Sequence, residues 1–250
     1  MNVLPDSLLE AIRPLGTSLV SDAIDALGVR LRNEGFIHGG TVRRYTGPET
    51  PMLGYAVTAR VRSFFPPMAG ATFAENAEWW RFIATIPNPR VVVFQDTDRQ
   101  PGLGAFFGNL HAAVHRALGC VGAVTNGAVR DVEAISATPF HLFAGSRSVS
   151  RAYIHISEFG REVEIGGLRI NSGDLLYGDA NGVLSIPLSI ADRIPEMAAK
   201  IAAKRSRTTA LCGSPDFTPD ALVRLTRAFG YEVAGTGVHL TSSNPDSEKP

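Results

Sequence analysis

The segment Val124-Thr-Asn-Gly-Ala-Val-Arg-Asp131 constrains this chain more than any other. Val121, Ala123 and Val124 form a short apolar run suited to a buried strand. Asn126-Gly127 is a turn signal, and Val132 to Ile135 resumes at helical spacing. Strand, glycine turn and fresh helix in succession belong to α/β folds, where polar residues at the carboxyl end of a strand commonly carry the site. Arg130 and Asp131 occupy that position. An arginine forks onto a carboxylate, and an aspartate beside it can hold a hard divalent cation. The pair therefore points to chemistry on a small oxyacid. The same residues would equally make a plain surface ion pair, with Asp131 in a first helical turn where acids are favoured anyway.

A second segment, Pro101-Gly-Leu-Gly-Ala-Phe-Phe-Gly-Asn-Leu-His111, is punctuated by glycine and runs into a helical pattern. That pattern places Leu110, Val114, Ala117 and Leu118 on one side. A glycine-rich approach to a helix start leaves backbone N–H groups free for an anion. Asn109 is also a good capping residue, so a plain capped helix is the alternative. The spacing matches neither a phosphate-binding loop nor a dinucleotide fingerprint. The expected ligand is a carboxylate.

At 250 residues, 44% hydrophobic, the chain can bury a core of its own. A single domain over residues 1–240 is expected, with helical additions at both ends and a polar, disordered tail at 241–250. Lys and Arg total 24 against 24 Asp and Glu, so nothing electrostatic recommends nucleic acid or an anionic membrane as partner. Two cysteines, Cys120 and Cys212, make no disulfide framework. With no apolar run near the ~20 residues of a membrane helix, a soluble, cytoplasmic protein is expected.

Helices are expected over Leu4 to Leu15, Asp22 to Leu27, Phe73 to Ile86, Leu188 to Arg205 and Phe217 to Phe229. Gly54 to Phe64 alternates like a half-buried strand, and Arg90 to Gln95 and Pro139 to Ala144 are further strands. Beyond Gly145 short β runs follow: Ala152 to Ile156, Glu162 to Ile165, Leu168 to Ile170 and Gly182 to Ile186. Arg30 to Pro51 is irregular, with turns at Gly166-Gly167 and Asn171 to Asp174.

Taken together, Ser21-Asp22-Ala23, Gly54-Tyr-Ala-Val-Thr58, Gly108-Asn-Leu-His111, Gly119-Cys-Val-Gly122, Thr125 to Asp131, Ile165-Gly-Gly-Leu168 and Ser172 to Val183 resemble the RraA-like family. That family contains metal-dependent 4-hydroxy-4-methyl-2-oxoglutarate aldolases and a regulator of ribonuclease activity. The resemblance implies an αββα sandwich around a mixed β core, similar to the swivelling phosphohistidine domain. It also implies a homotrimer or homohexamer with sites between subunits. Aldolase members would make Asp131 the ligand of Mg²⁺ or Mn²⁺ and Arg130 the grip on the keto acid. The backbone at Gly108, Asn109, Leu110 and His111 would complete the substrate cradle. The implied activity is a lyase, an aldolase or oxaloacetate-type decarboxylase, working through a metal-stabilised enolate. Against the family pattern, Asn109 and Asn126 stand where relatives carry acidic groups. Ser206, in Lys204-Arg-Ser-Arg207, stands where some aldolases use a neighbouring subunit's glutamate. No general base is thereby named. A non-enzymatic regulatory protein and an enzyme for a different oxyacid are the alternatives.

His111 and His115, at i and i+4, have metal-binding spacing but no evident third ligand; His111 is expected at the pocket mouth. His155 could serve as a general acid, and Asp96 and Asp98 could orient metal-bound water. Asp174 and Asp179 are expected in Asx turns, and Cys120 in the core.

Overall fold

The structure is a computed structural model that describes residues 3–67 and 77–228. Helices α1 (Asp6–Ile12) and α2 (Thr17–Leu27) lead into strands β1 (Arg43–Thr46) and β2 (Met52–Arg62). An alternating run follows: α3 (Ala77–Thr85), β3 (Arg90–Asp96), β4 (Ala105–Phe107), α4 (Asn109–Ala117), β5 (Cys120–Val129), α5 (Val132–Ser136) and β6 (His141–Arg147). Then come β7 (His155–Phe159), β8 (Val163–Ile165), β9 (Leu168–Ile170), β10 (Leu175–Asp179) and β11 (Gly182–Ile186). A 3₁₀ turn at Leu188–Arg193 leads to α6 (Ile194–Cys212) and α7 (Pro219–Ala228). The tail expected at 241–250 and the start of the helix expected from Phe73 lie outside the described residues.

Nine strands form one mixed sheet in the order β1-β6-β5-β3-β2-β10-β11, with β4 added to β5 and β7 to β2. The centre, β2, β3, β5 and β6, is parallel, and β1, β10 and β11 pair antiparallel at its margins. This is the mixed α/β architecture the sequence implied. One face carries the large core, where Tyr55, Val57, Ala59 and Val61 meet α1, α2, α3 and α6. On the other face Met52, Ala56, Val91, Val93, Val124 and Phe143 pack beneath the β8–β9 hairpin. Strand β2 is therefore buried on both sides from Met52 to Ala59, not half-buried as its alternation suggested. The alternation was real, but it sorted residues between two cores rather than between core and water. Thr58, on the less apolar face, remains satisfied because its hydroxyl donates to Arg161 O at 2.7 Å.

Four further expectations are corrected. Asn126-Gly127 makes no turn: β5 runs through it, with a register irregularity between Thr125 and Ala128. Asn126 instead splices the ends of β5 and β3, accepting from Asp96 N at 2.7 Å and donating to Asp96 O at 2.9 Å. Strand β1 arises in the stretch read as irregular, and β10 in one to which the reading gave no element. The long helix expected from Leu188 is a 3₁₀ turn followed by α6. Helix α4 buries His111, Ala112 and His115, and leaves Leu110 63% exposed. The apolar stripe chosen from spacing was displaced by one residue. Among the described residues, no helix is long and apolar enough to cross a membrane.

Candidate active site

Strand β4 lies parallel to the last residues of β5, with Ala105 opposite Ala128 and Phe107 opposite Val129. The two chains therefore leave the sheet side by side, one through Gly108 into α4 and the other through Arg130-Asp131 into α5. Arg130 N donates to Phe107 O at 2.8 Å and ties the two exits together. Asn109 N donates to Asp131 Oδ2 at 3.2 Å, and Arg130 Nε lies 3.8 Å from the same oxygen. Gly108, at φ −136°, has a backbone any residue could adopt; space is what requires glycine. A Cβ there would sit 2.6 Å from Asp131 Oδ2 and 3.3 Å from Arg130 Nε. The capping position of α4 belongs to Gly108, and Asn109 is the first helical residue, exposed, with its side chain making no cap.

Asp131 is left-handed, φ 54°, and its side chain is 47% exposed. Its Oδ1 has no partner among the described residues. Ala152, φ 45°, is the second non-glycine residue at positive φ among the described residues. The two strained positions each follow an arginine, Arg130 and Arg151. Strain of this kind persists only where surrounding structure enforces it, and it clusters at functional sites.

Arg151 comes from the loop between β6 and β7, and sequence reasoning missed it. Its Nη2 donates to the ring of His111, 3.0 Å from Nδ1 and 3.1 Å from Nε2. Electrostatically it feels both Arg130 and Asp131; its pKa is lowered by burial first, then by Arg130. Arg130 Nη1 reaches Val149 O in the same loop at 3.4 Å. Arg130, Asp131, His111 and Arg151 thus form one coupled group. No local pattern marked Arg151, because its place depends on a loop returning across the end of β5.

His111 is not at a pocket mouth. It is 2% exposed, edged by Phe106 at 5.0 Å between ring centroids, and burial together with Arg151 lowers its pKa to about 3. His115 is fully buried. Its Nε2 accepts from Trp79 Nε1 at 3.3 Å and its Nδ1 lies 2.7 Å from His111 O. Burial lowers its pKa to about 4. With both ring nitrogens of His115 so committed, the two histidines make no metal site.

Most of the remaining candidates are engaged with backbone groups. Asp96 accepts from Asp98 N at 3.0 Å and Gly102 N at 2.8 Å, while Asp98 accepts from Ser63 N at 2.6 Å and Phe64 N at 3.0 Å. Both hold loop backbone in place. Nδ1 of His155 lies 2.8 Å from Tyr153 O. Asp174 accepts from Asn171 N, three residues earlier, at 2.7 Å, so it closes the turn without making the Asx turn expected of it. Asp179 accepts from Asn181 N at 2.8 Å and also from Thr17 N at 2.8 Å, anchoring the start of α2. Cys120 is buried, and burial raises its thiol to about 12. Ser206 is exposed on α6. A polar pocket of about 520 Å³ lined by Arg60, Arg62, Gln95, Thr97, Ser157 and Glu158 contains none of the site residues.

Residues 17–185 match the family model described as RraA-like, Aldolase/RraA. The chain belongs to the RraA-like family. Protein DlpA of Legionella pneumophila is 29% identical over 204 residues, 80% of this chain and 30% of DlpA. A Halalkalibacterium halodurans protein named "Putative 4-hydroxy-4-methyl-2-oxoglutarate aldolase" is 32% identical over 97 residues, 38% of this chain and 46% of that protein. The match thus spans less than half the length of either relative. Among solved structures, an uncharacterized protein from Pseudomonas syringae pv. tomato superposes with a TM-score of 0.70 at 22% identity. That match covers 91% of this chain and 96% of the other, and it establishes the shared fold.

Among the described residues no group of three or more His, Cys, Asp and Glu side chains could hold a metal ion. A hard cation of the magnesium type keeps most of its waters and needs one or two carboxylates. Asp131 could supply one, half-exposed with Oδ1 uncommitted, and the missing Cβ at Gly108 leaves room for its carboxylate. The residues fit such a cation. They do not fit zinc, which prefers nitrogen and sulfur ligands in a closed set.

Proposed function

We propose that this protein is a divalent-metal-dependent lyase that cleaves a carbon–carbon bond in a small 2-keto acid, as an aldolase or an oxaloacetate-type decarboxylase. The observation that carries the reading is Asp131: a half-exposed carboxylate with an uncommitted oxygen, beside an arginine and so close to Gly108 that a Cβ there would crowd it. Family membership and the aldolase name of the H. halodurans relative support it.

Asp131 would hold Mg²⁺ or Mn²⁺, which when bound supplies Lewis-acid polarisation of the keto oxygen. Arg130 would grip the 1-carboxylate and face the charge that develops on the keto oxygen as the C3–C4 bond breaks. The electron pair of that bond passes into the enolate of pyruvate, and the other fragment leaves as CO₂ or as a carbonyl compound. Protonation at C3 then gives pyruvate. The first turn of α4 lacks intrahelical acceptors for its leading N–H groups, so Leu110 and its neighbours would orient the carboxylate. Asn109 N is committed to Asp131 and cannot share that task. Asn109 itself cannot take up a proton, so water would serve as base.

The test is pyruvate release from 4-hydroxy-4-methyl-2-oxoglutarate and from oxaloacetate with Mg²⁺, with Mn²⁺ and with EDTA. Metal-dependent release is expected; a folded, metal-binding protein that releases none from either acid contradicts the reading. A second reading, a non-enzymatic binding protein, rests on the lone carboxylate with Asn109 and Asn126 around it. It requires that no divalent cation binds. Leu103, Leu110, Val149 and Tyr153, all large, apolar and exposed, lie on segments next to the site. They support the ring of subunits that the family resemblance implies.

A further inference from the structure

We propose that Arg151 is a second anion-gripping side chain of the Arg130–Asp131 site, and that it makes the site prefer oxyacids with two carboxylates over those with one. The proposal rests on the reading of that site as one for keto acids.

Charge is the first argument. Arg130 and Arg151 bring two positive charges to a group whose acid, among the described residues, is Asp131. Asn109 adds no charge, and His111 is neutral. Two guanidinium groups that interact with each other and with one carboxylate leave the site short of an anion before any cation binds, and shorter still once one does.

Donor accounting is the second. A guanidinium carries five N–H donors and no acceptor. The Nε atoms of both Arg130 and Arg151 are buried without a hydrogen-bond acceptor among the described residues. Arg130 Nη1 has only the long 3.4 Å contact to Val149 O, and Arg151 is held through Nη2 on His111. Buried charged donors without acceptors are costly unless a ligand completes them. The planar fork is the group best matched to a carboxylate.

The third argument is how Arg151 is held. Its loop is fixed at both sides, since Ala105 N donates to Ser150 O at 2.9 Å and Tyr153 N to Ser63 O at 3.1 Å. Gly104 lets the loop approach, as a Cβ there would run into Arg151 O. A neutral imidazole can accept from the guanidinium, whereas a protonated one would repel it. His111 is therefore a positioning residue whose burial keeps it an acceptor. Arg130 stands on a strand end and Arg151 on the facing loop, so one arginine can take the carboxylate beside the keto group and the other the distal one.

The experiment is calorimetric titration of the full chain, at neutral pH in EDTA, with malonate, acetate and inorganic phosphate. Wild type is expected to bind malonate about tenfold or more tightly than acetate. Arg151→Gln should bring malonate to the acetate level and leave acetate unchanged, while Arg130→Gln should weaken both. Arg151→Lys, which keeps the charge but loses the fork, should retain part of the preference. His111→Gln, which keeps an acceptor, should preserve the preference; His111→Leu should reduce it. A wild-type preference surviving in both Arg151 variants overturns the proposal, as does tighter binding of phosphate than of malonate, or no binding of any of the three. An Arg151-dependent malonate preference in a protein that releases no pyruvate would leave this assignment standing and remove the lyase reading.

Discussion

Two adjacent parallel strands of the sheet, β3 and β5, each deliver an aspartate at the carboxyl end, and the two carboxylates have opposite fates. Asp96 is 2% exposed and spends both oxygens on backbone N–H groups, those of Asp98 and Gly102. Asp131 has a 47% exposed side chain, accepts one N–H at 3.2 Å and keeps Oδ1 open. Topology gives both the position where α/β sheets place sites. What separates structure from chemistry is which lone pairs the fold has already used. Even Arg130 is too far from Asp131, at 3.8 Å, to consume one through a hydrogen bond.

The comparison breaks most sharply at Asp131. Asp131→Asn retains the left-handed backbone that Asn tolerates well and an acceptor for Asn109 N, but removes the charge. Metal-dependent pyruvate release should fall by about 10²–10³-fold, with the melting temperature unchanged; steady-state kinetics and calorimetry check both halves. Asp96→Ala should do the reverse. It orphans two backbone donors and should cost about 1–3 kcal/mol in denaturant unfolding, while Mn²⁺ affinity of the folded protein holds.

Acid pH tests the fold through three buried histidines, His111 and His115 behind the site and His141 at the far end of β6. Burial, the largest cause in each case, lowers His115 and His141 to about 4 and His111 to about 3 from 6.5. A base held below its unfolded pKa binds fewer protons when folded, so its contribution is complete above about 6.5 and drains away as pH falls towards the folded value. Stability should therefore decline from about pH 6.5 downward, by up to about 1.4 kcal/mol per pH unit for each group. His115→Gln should flatten that slope in urea melts collected across the range. The smallest effect is expected at Gly108→Ala. The new methyl meets the movable end of the Asp131 side chain, so activity should drop roughly tenfold, the ~1.4 kcal/mol of a displaced carboxylate, with almost no change in stability.

Much of this was legible locally. The strand-to-helix passage through Arg130 and Asp131, the glycine segment facing it and the β11 boundaries could all be read from patterns of five to ten residues. Reading failed where a distant partner decided the outcome. Asn126-Gly127 has turn chemistry, yet Asn126 finds peptide-like partners on β3 and the strand continues. The leucine spacing of α4 pointed outward, because Trp79 from α3 gives His115 a donor and makes a histidine face affordable in the core. Arg151 lies in a loop without periodicity, and only the return of that loop beside His111 brings it to the site.

The most direct measurement is Mn²⁺ binding, followed by electron paramagnetic resonance, in wild type, Asp131→Asn and Asp96→Asn. Binding by wild type and Asp96→Asn, and its loss in Asp131→Asn, is the expected result. Equal binding by all three proteins, or loss in Asp96→Asn alone, would contradict the assignment of Asp131 as the carboxylate that the fold leaves free for chemistry.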